Sequence, residues 1–191
     1  LPVVSVMSQE DGLFSYNNGI YVPGIDFDNW RNANPTQTPG PASPANYHRS
    51  GESAERPAHF EIIETDTVVY KQDVGLRING SSSASYRVKS LRLYGTDQYK
   101  TIEHPLFPQL PYDEYKTFIL RNSGQDYTST LFRDALAHES VAHLNIDIQA
   151  YRPAILFLNG EYWGIHNMRQ RQDKHYYAQK YGVNEDSLDL I

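Results

Sequence analysis

The chain has 191 residues, no cysteine and a formal net charge of −6 at pH 7. The lack of cysteine excludes a disulfide framework and cysteine-based zinc sites. The acidic balance, with basic residues scattered along the chain, argues against nucleic-acid binding. No apolar run reaches the roughly 18 residues of a membrane-spanning helix. An aromatic content of 13% is typical of a folded domain, and the length suits one domain with a sizeable core.

The N-terminal part of the chain is predicted to form short strands followed by a long loop. Residues 3–6 favour extended backbone, and residues 20–22 are strand-like before a Pro-Gly break. Residues 32–55 are rich in proline and polar residues and show no strand or helix period, which indicates a surface loop. Asp26 and Asp28 lack the further oxygen ligands of a calcium loop, so an ordinary solvated loop is favoured there.

Consecutive antiparallel strands are predicted at the centre of the first half. Residues 56–71 form a hairpin pattern with a turn at 64–66. The hairpin leads into two further alternating runs, 74–78 and 86–94, whose period of two suits half-buried strands.

The turn between those two runs carries the strongest chemical hypothesis. Gly80, Ser81, Ser82 and Ser83 have little side-chain bulk, so their backbone N–H groups could approach a phosphate closely. Lys89 is expected three residues into the second strand, where it would reach back over the turn. Glycine-rich turns followed by a strand lysine hold nucleotide phosphates in kinase-like folds. The motif is neither GxGxxG nor a Walker A loop, so a plain hairpin with a surface lysine is the alternative.

The second half begins with a proline-containing connector at 102–112 and a strand at 115–120. A helix is predicted over 128–144 from its apolar stripe. Within it, His138 and His143 resemble an HExxH zinc motif. Their spacing of five residues places them on different helix faces, which favours two ordinary histidines over a metal site.

The most clearly patterned stretch is a hairpin followed by a helix. An apolar run at 154–158 meets Asn159–Gly160, the preferred two-residue hairpin turn, and returns as a strand over 161–168. A polar connector at 169–172 precedes a helix predicted for 173–180.

Together, six short motifs resemble the CotH kinase family, which is named for spore coat protein H. In chain order they are Gly19–Gly24 (GIYVPG), Gly75–Gly80 (GLRING) with the serines that follow, Lys89–Arg92 (KSLR), Leu120–Gly124 (LRNSG) with Asp126, Arg133–Leu136 (RDAL), and Leu158–Gly164 (LNGEYWG) with Asp173. The N-terminal GIYVPG piece is similar to large, exported bacterial members of the family.

The resemblance implies an α+β fold. We expect a largely antiparallel sheet with two helices, like the small lobe and hinge region of a protein kinase, truncated before the large lobe. Residues 1–191 would be one CotH-like module and a fragment of a longer chain. Residues 1–55 would be N-terminal strands and loop, and residues 56–191 the small-lobe and hinge region.

The resemblance also implies ATP-dependent phosphoryl transfer to a surface-protein substrate, in an extracellular or cell-surface location. The full-length parent would use ATP and Mg²⁺. Gly80, Ser81, Ser82, Ser83 and Lys89 would contact the nucleotide phosphates. Gln170 would join them on the nucleotide side, at the start of the connector that would face adenine.

Two positions depart from the family pattern. The family usually has an arginine where this chain has Ala84 and a glutamate where it has Gln170, and a neutral amide cannot pair ionically with a lysine. The family's paired aspartates for Mg²⁺ are expected beyond Ile191. We therefore expect no catalytic or metal-binding residue here, no cofactor bound to the fragment, and no kinase activity of the fragment alone.

Two other functions stay open. The first is a non-catalytic cell-surface, spore-coat-type structural or adhesion module built on a kinase-derived scaffold, because fold does not determine function. The second is a carbohydrate-associated β-domain, for which the 15 tyrosines are the motive.

Overall fold

Nine strands make up most of the regular structure. The structure, a computed structural model, describes residues 1–96 and 98–190. The strands are β1 (Val3–Ser8), β2 (Arg56–Glu64), β3 (Thr67–Asn79), β4 (Ser90–Tyr94), β5 (Ile102–Glu103), β6 (Glu114–Tyr115), β7 (Thr117–Arg121), β8 (Tyr151–Leu158) and β9 (Glu161–Gln170). Seven of them form a closed barrel in the order β1-β2-β3-β4-β7-β9-β8, while β5 and β6 pair separately.

Short helices fill the connections between the strands. In the described part of the chain the α-helices are α1 (Glu10–Phe14), α2 (Gly24–Ala33), α3 (Arg133–Ser140) and α4 (Lys174–Tyr181). The 3₁₀ helices are Asn46–His48, Glu52–Ala54, Ser82–Ser85 and Glu185–Ser187. None of the helices in residues 1–96 and 98–190 has the length and apolarity needed to cross a bilayer.

The first strand closes the barrel. β1 pairs antiparallel with β2, with Val6 opposite Phe60, and parallel with β8, with Val6 opposite Leu158. Val4 and Val6 are fully buried while their neighbours are more exposed, which is the alternation of a strand with one face on the core. Closure leaves no unpaired barrel edge and so removes a site for strand addition.

This architecture corrects the predicted α+β fold. The described chain is mostly β, and its sheet is a closed seven-stranded barrel rather than the open sheet with two helices of a kinase small lobe. Alternation along the sequence located most strands, but it carries no information on which distant strand β1 joins. Residues 20–22, predicted to be extended, instead form bends before α2, because Ile20 and Tyr21 donate their N–H groups to carbonyls of Gly12 and Leu13.

The barrel interior is an apolar core to which each of its seven strands contributes. Its fully buried members include Val6, Phe60, Leu76, Leu91, Leu93, Phe118, Leu120, Leu156 and Met168. Removing one such side chain from water contributes about 1.5–3 kcal/mol, so this core is the main source of stability for the sites on its rim.

The predicted hairpin turns are confirmed. Thr65 and Asp66 turn β2 into β3 with φ values of 49° and 61°, and Asn159 and Gly160 turn β8 into β9 with φ values of 51° and 82°. Positive φ at both central residues matches the right-handed twist of the flanking strands.

The predicted helices are found with different accuracy. The helix predicted at 173–180 is α4, which begins after Asp173, whose side chain accepts from Tyr176 N, and ends at Gly182 with φ of 63°. The helix predicted at 128–144 is much shorter. It begins only at Arg133, because the carboxylate of Asp126 holds Thr130 and Arg133 in a preceding turn.

Candidate functional site

The serine turn lies at one end of the barrel, between β3 and β4. Gly80 has φ of 138°, and a Cβ added there would lie 2.5 Å from Ser83 Oγ, so this position requires glycine. Gly80, Ser81 and Ser82 are exposed, and Ser83 is half-buried. The turn is thus open to solvent on the side where a ligand would have to approach.

Lys89 lies beside this turn, and its position differs from the prediction. β4 starts at Ser90, so Lys89 precedes the strand; its backbone N–H donates to Tyr21 Oη at 2.9 Å instead of joining the ladder. The amine was predicted to reach back over the turn, and it donates to the carbonyl oxygens of Ala84 and, at 2.8 Å, Tyr86. The hydrogen bonds of the Lys89 amine are therefore with residues that follow Ser83 and not with Gly80–Ser83.

The surroundings of the Lys89 amine are aromatic and contain no acid. The amine lies 4.2 Å from the ring centre of Tyr47 and 5.3 Å from that of Tyr21. Lys89 is only 3% exposed. No carboxylate of the described residues lies within ion-pairing distance, and burial lowers the pKa of Lys89 from 10.5 to about 8. The amine is a buried cation without a counter-ion.

A second turn, Asn122–Asp126, packs against the serine turn. A Cβ added at Gly124 would be 3.0 Å from Ser83 Cβ, which shows how closely the two turns approach. Ser90 Oγ donates to Asn122 Oδ1 at 2.8 Å and accepts from Asn122 N at 3.0 Å. The Asn122 side chain also donates to Val88 O. These bonds hold the chain on both sides of Lys89.

β9 supplies the third wall of this site. His166 is fully buried, and its Nε2 lies 3.1 Å from Lys89 O. Burial lowers the pKa of His166 to about 4, so the ring is neutral at physiological pH and donates from Nε2. The adjacent Asn167 side chain donates to Ser123 Oγ at 2.6 Å and to Leu131 O. We call Gly80–Ser83, Lys89, Asn122, Ser123, His166 and Asn167 together the polar rim.

Asp126 stabilises the entry to α3 rather than facing Lys89. Its carboxylate accepts from Thr130 Oγ1 at 2.6 Å and from Arg133 N at 2.9 Å. These hydrogen bonds, with the nearby Arg133 charge, hold the pKa of Asp126 well below its usual range. It therefore stays ionised and keeps the LRNSG turn in place.

Gln170 lies away from the polar rim, at the far end of β9. It is four residues beyond His166, or about 13 Å along a strand. Its Oε1 accepts from Ala150 N at 3.0 Å, and its Nε2 donates to Tyr112 Oη at 2.7 Å. Gln170 also lines a cleft of about 420 Å³ whose apolar walls include Leu110 and Ile148. The structure thus places the Lys89 amine at the carbonyl oxygens that follow the serine turn and leaves Gln170 in a separate cleft.

Sequence reasoning missed four residues of the polar rim, which are Asn122, Ser123, His166 and Asn167. Asn122 and Ser123 stood within the LRNSG motif, which was noted only as a resemblance. No sequence pattern indicated His166, because its contact with Lys89 O arises only when β9 is paired within the barrel.

The described residues do not form a metal site. No group of three or more histidine, aspartate or glutamate side chains in residues 1–96 and 98–190 is arranged to hold a metal ion. Mg²⁺ needs several hard oxygen ligands, and the described residues do not bring such a set of carboxylates together. His143 lies beyond the end of α3, and His138 Nδ1 lies 2.8 Å from Arg169 Nη2.

Comparison with known proteins agrees with the motifs. The sequence model of the family described as CotH kinase protein matches residues 76–191, more than half of the chain, and this stretch includes the serine turn, Lys89 and Gln170. A search of curated proteins finds no match. The match with the family model establishes that this chain belongs to the CotH kinase family.

Proposed function

We propose that this chain is the nucleotide-binding part of a phosphotransferase that moves a phosphoryl group from ATP to serine-containing surface proteins, outside the cell or at its surface. The supporting observation is the buried Lys89 amine, which has no carboxylate partner among the described residues and lies next to the serine turn. Both features fall within the stretch that matches the family.

A buried cation without a counter-ion favours binding of an anion. Removing an ammonium group from water is unfavourable unless it gains hydrogen bonds and an opposite charge. Lys89 donates to two carbonyl oxygens, and an ammonium has three N–H donors. In this proposal the remaining donor and the positive charge would contact a phosphate oxygen.

The chemistry assigned to Lys89 follows from its charge. Phosphoryl transfer spreads negative charge over the transferred group and the leaving oxygen, and a fixed cation next to them lowers the barrier. The small residues of the serine turn would let backbone N–H groups contact the same phosphates. ATP supplies the phosphoryl group. Because the described residues do not fit Mg²⁺, we assign no step to a metal ion here.

The role of Gln170 remains a prediction within this proposal. Its amide is already bonded to Ala150 N and Tyr112 Oη, so it shapes the cleft rather than presenting a free donor. A nucleoside ring is a suitable occupant for a cleft of about 420 Å³ with apolar walls and a few polar groups.

One observation favours the alternative of a non-catalytic surface module. The Lys89 amine is closely surrounded by the carbonyl oxygens of Ala84 and Tyr86 and the ring of Tyr47. A lysine in such surroundings also serves to hold the turn against the N-terminal segment. In that case the kinase-like residues would remain only as a scaffold.

Calorimetric titration with ATP separates the two functions. We expect the full-length parent to bind ATP, Lys89→Met in that protein to weaken binding at least tenfold, and Lys71→Met, at an exposed lysine of β3, to leave it unchanged. A folded wild-type protein that does not bind ATP, or equal binding by Lys89→Met, would overturn the proposal. Protease accessibility on intact cells tests the surface location.

A further inference from the structure

The outer face of the barrel carries a group of arginines around one tyrosine ring. Arg77 in β3 lies directly opposite Arg92 in β4. Their guanidinium carbons are 4.4 Å and 5.6 Å from the ring centre of Tyr94, so the two carbons are at most 10 Å apart. Arg171 follows β9 and acts on Arg92 as a further positive charge. We call Arg77, Arg92, Arg171 and Tyr94 the arginine face.

The carboxylates near this face pair with Arg77 and Arg171 but not with Arg92. Glu55 binds Arg77 with N–O distances of 2.7 and 2.9 Å, and Asp173 lies 3.7 Å from Arg171. Arg92 has no carboxylate within 4.0 Å among the described residues. It donates instead to neutral oxygens, those of the Asn79 side chain and the Tyr94 hydroxyl.

This arrangement is unfavourable without an anion. Like charges directly opposite each other on neighbouring strands destabilise a sheet. The pKa of Arg92 is lowered, first by burial and then by Arg171 and Arg77. Asn79 and Tyr94 fix the plane of the guanidinium and occupy three of its five N–H donors, leaving two for another ligand.

We propose that Arg92, with Arg77 and Arg171 beside it, binds a phosphate monoester dianion. Arginine has a planar fork of donors that matches phosphate oxygens, and the one positive charge that Glu55 and Asp173 leave uncompensated would offset one of the two charges of the dianion. The site does not rest on the function proposed for Lys89. Leu91 and Leu93, on either side of Arg92, are fully buried in the core, so Arg92 projects from the outer face of the wall.

A phosphorylated peptide suits this face better than a nucleic acid. The whole chain has a net charge of −6, which repels a long polyanion. A phosphoserine presents its charge at one point, which matches a cluster confined to residues of β3 and β4 and the residue that follows β9. A free phosphate ester offers the same chemistry, and the experiment separates the two.

The test is a titration of the full chain with four probes. They are a phosphoserine peptide, the same peptide with unmodified serine, inorganic phosphate and a single-stranded oligonucleotide. We expect the phosphopeptide and phosphate to bind and the unmodified peptide not to bind. Tighter binding of the phosphopeptide identifies a peptide-borne phosphate as the ligand, and equal binding shows that the phosphate group alone is recognised. Binding of the oligonucleotide alone, or of none of the probes, would overturn the proposal.

Three variants locate the site. Arg92→Gln should weaken phosphopeptide binding at least tenfold, while Arg92→Lys, which keeps the charge but loses the fork, should weaken it less. Arg87→Gln, at an exposed arginine, is the matched control and should have no effect. Lys89→Met should also leave phosphopeptide binding unchanged. Loss of binding in Lys89→Met but not in Arg92→Gln would contradict the proposal, because the ligand would then bind at the polar rim.

Discussion

Lys89 and Arg92 are three residues apart, and both are cations without a carboxylate partner among the described residues. Lys89 lies at the barrel end beneath Tyr21 and Tyr47 and is 3% exposed. Arg92 lies on the outer face and is only half-buried, among other arginines. Burial is the first cause of a lowered pKa in both, but only the lysine is brought to a value, about 8, where its charge titrates near neutral pH.

Two cations that both lack a counter-ion therefore behave differently at the end of the barrel and on its outer face. At the polar rim, carbonyl oxygens and aromatic rings surround Lys89 in place of water, so the charged form of its amine is destabilised. On the outer face, solvent and salt screen the repulsion between arginines. The lysine is thus expected to affect stability strongly, and the arginine weakly.

The largest expected effect is the pH dependence of stability caused by Lys89. Its folded-state pKa, about 8, lies below the ordinary value of 10.5. Between these values the unfolded chain binds a proton that the folded chain does not, so stability rises with pH through this window. The gain should be about 3 kcal/mol, because the pKa falls from 10.5 to about 8 and each pKa unit is worth about 1.36 kcal/mol. Urea denaturation of wild type and Lys89→Met from pH 7 to 11 measures it.

The Lys89→Met protein is the reference in that experiment, since it carries no titrating group at this position. Its stability should vary less than that of wild type above pH 8. Parallel curves for the two proteins would mean that the amine keeps its ordinary pKa and is not buried.

A smaller effect is expected from loosening the segment around Tyr47, whose ring lies over the Lys89 amine. Asn46 is fully buried; its side chain accepts from Asp26 N at 3.1 Å and donates to Tyr16 O at 3.0 Å. Asn46→Ala leaves both groups unpaired, which should lower the free energy of unfolding by about 1–3 kcal/mol. Because Tyr47 is the next residue, labelling of Lys89 by an amine-reactive reagent should also become faster.

Asn32→Ala, at an exposed position of α2, is the control and should change stability by less than about 0.5 kcal/mol. Unchanged labelling of Lys89 in a destabilised Asn46→Ala protein would show that residues around Tyr47 do not restrict access to the amine.

The smallest effect is expected at Arg92. Arg92→Gln removes one of two opposed positive charges, so it should raise stability by a few tenths of a kcal/mol at low salt, and less at high salt. Thermal unfolding at 20 and 500 mM salt measures this. A marked loss of stability would mean that the bonds to Asn79 and Tyr94 outweigh the repulsion.

Local features of the fold were predictable because they depend on neighbouring residues. Asn159–Gly160 adopts the positive φ values that the hairpin turn requires, and Asp173 and Gly182 mark the ends of α4. The alternation of Leu91 and Leu93 with polar neighbours located β4.

Features that depend on distant pairing were not predictable. The pairing of Val6 with Leu158 closes the barrel across most of the chain, and no local pattern encodes it. The site shows the same limit. Gly80–Ser83 and Lys89 are near in sequence and were predicted to meet, whereas His166 joins them only through β9. Gln170 was predicted to join the nucleotide side, but strand geometry puts it about 13 Å further along β9.

The most direct test of a nucleotide phosphate at Lys89 is the pKa of its amine, measured by NMR in the full-length parent with and without ATP. A bound phosphate would stabilise the ammonium form, so the pKa of Lys89 should rise from about 8 toward 10.5, while the NMR signals of the exposed Lys71 side chain should not move. A Lys89 pKa that stays the same at saturating ATP would contradict the account.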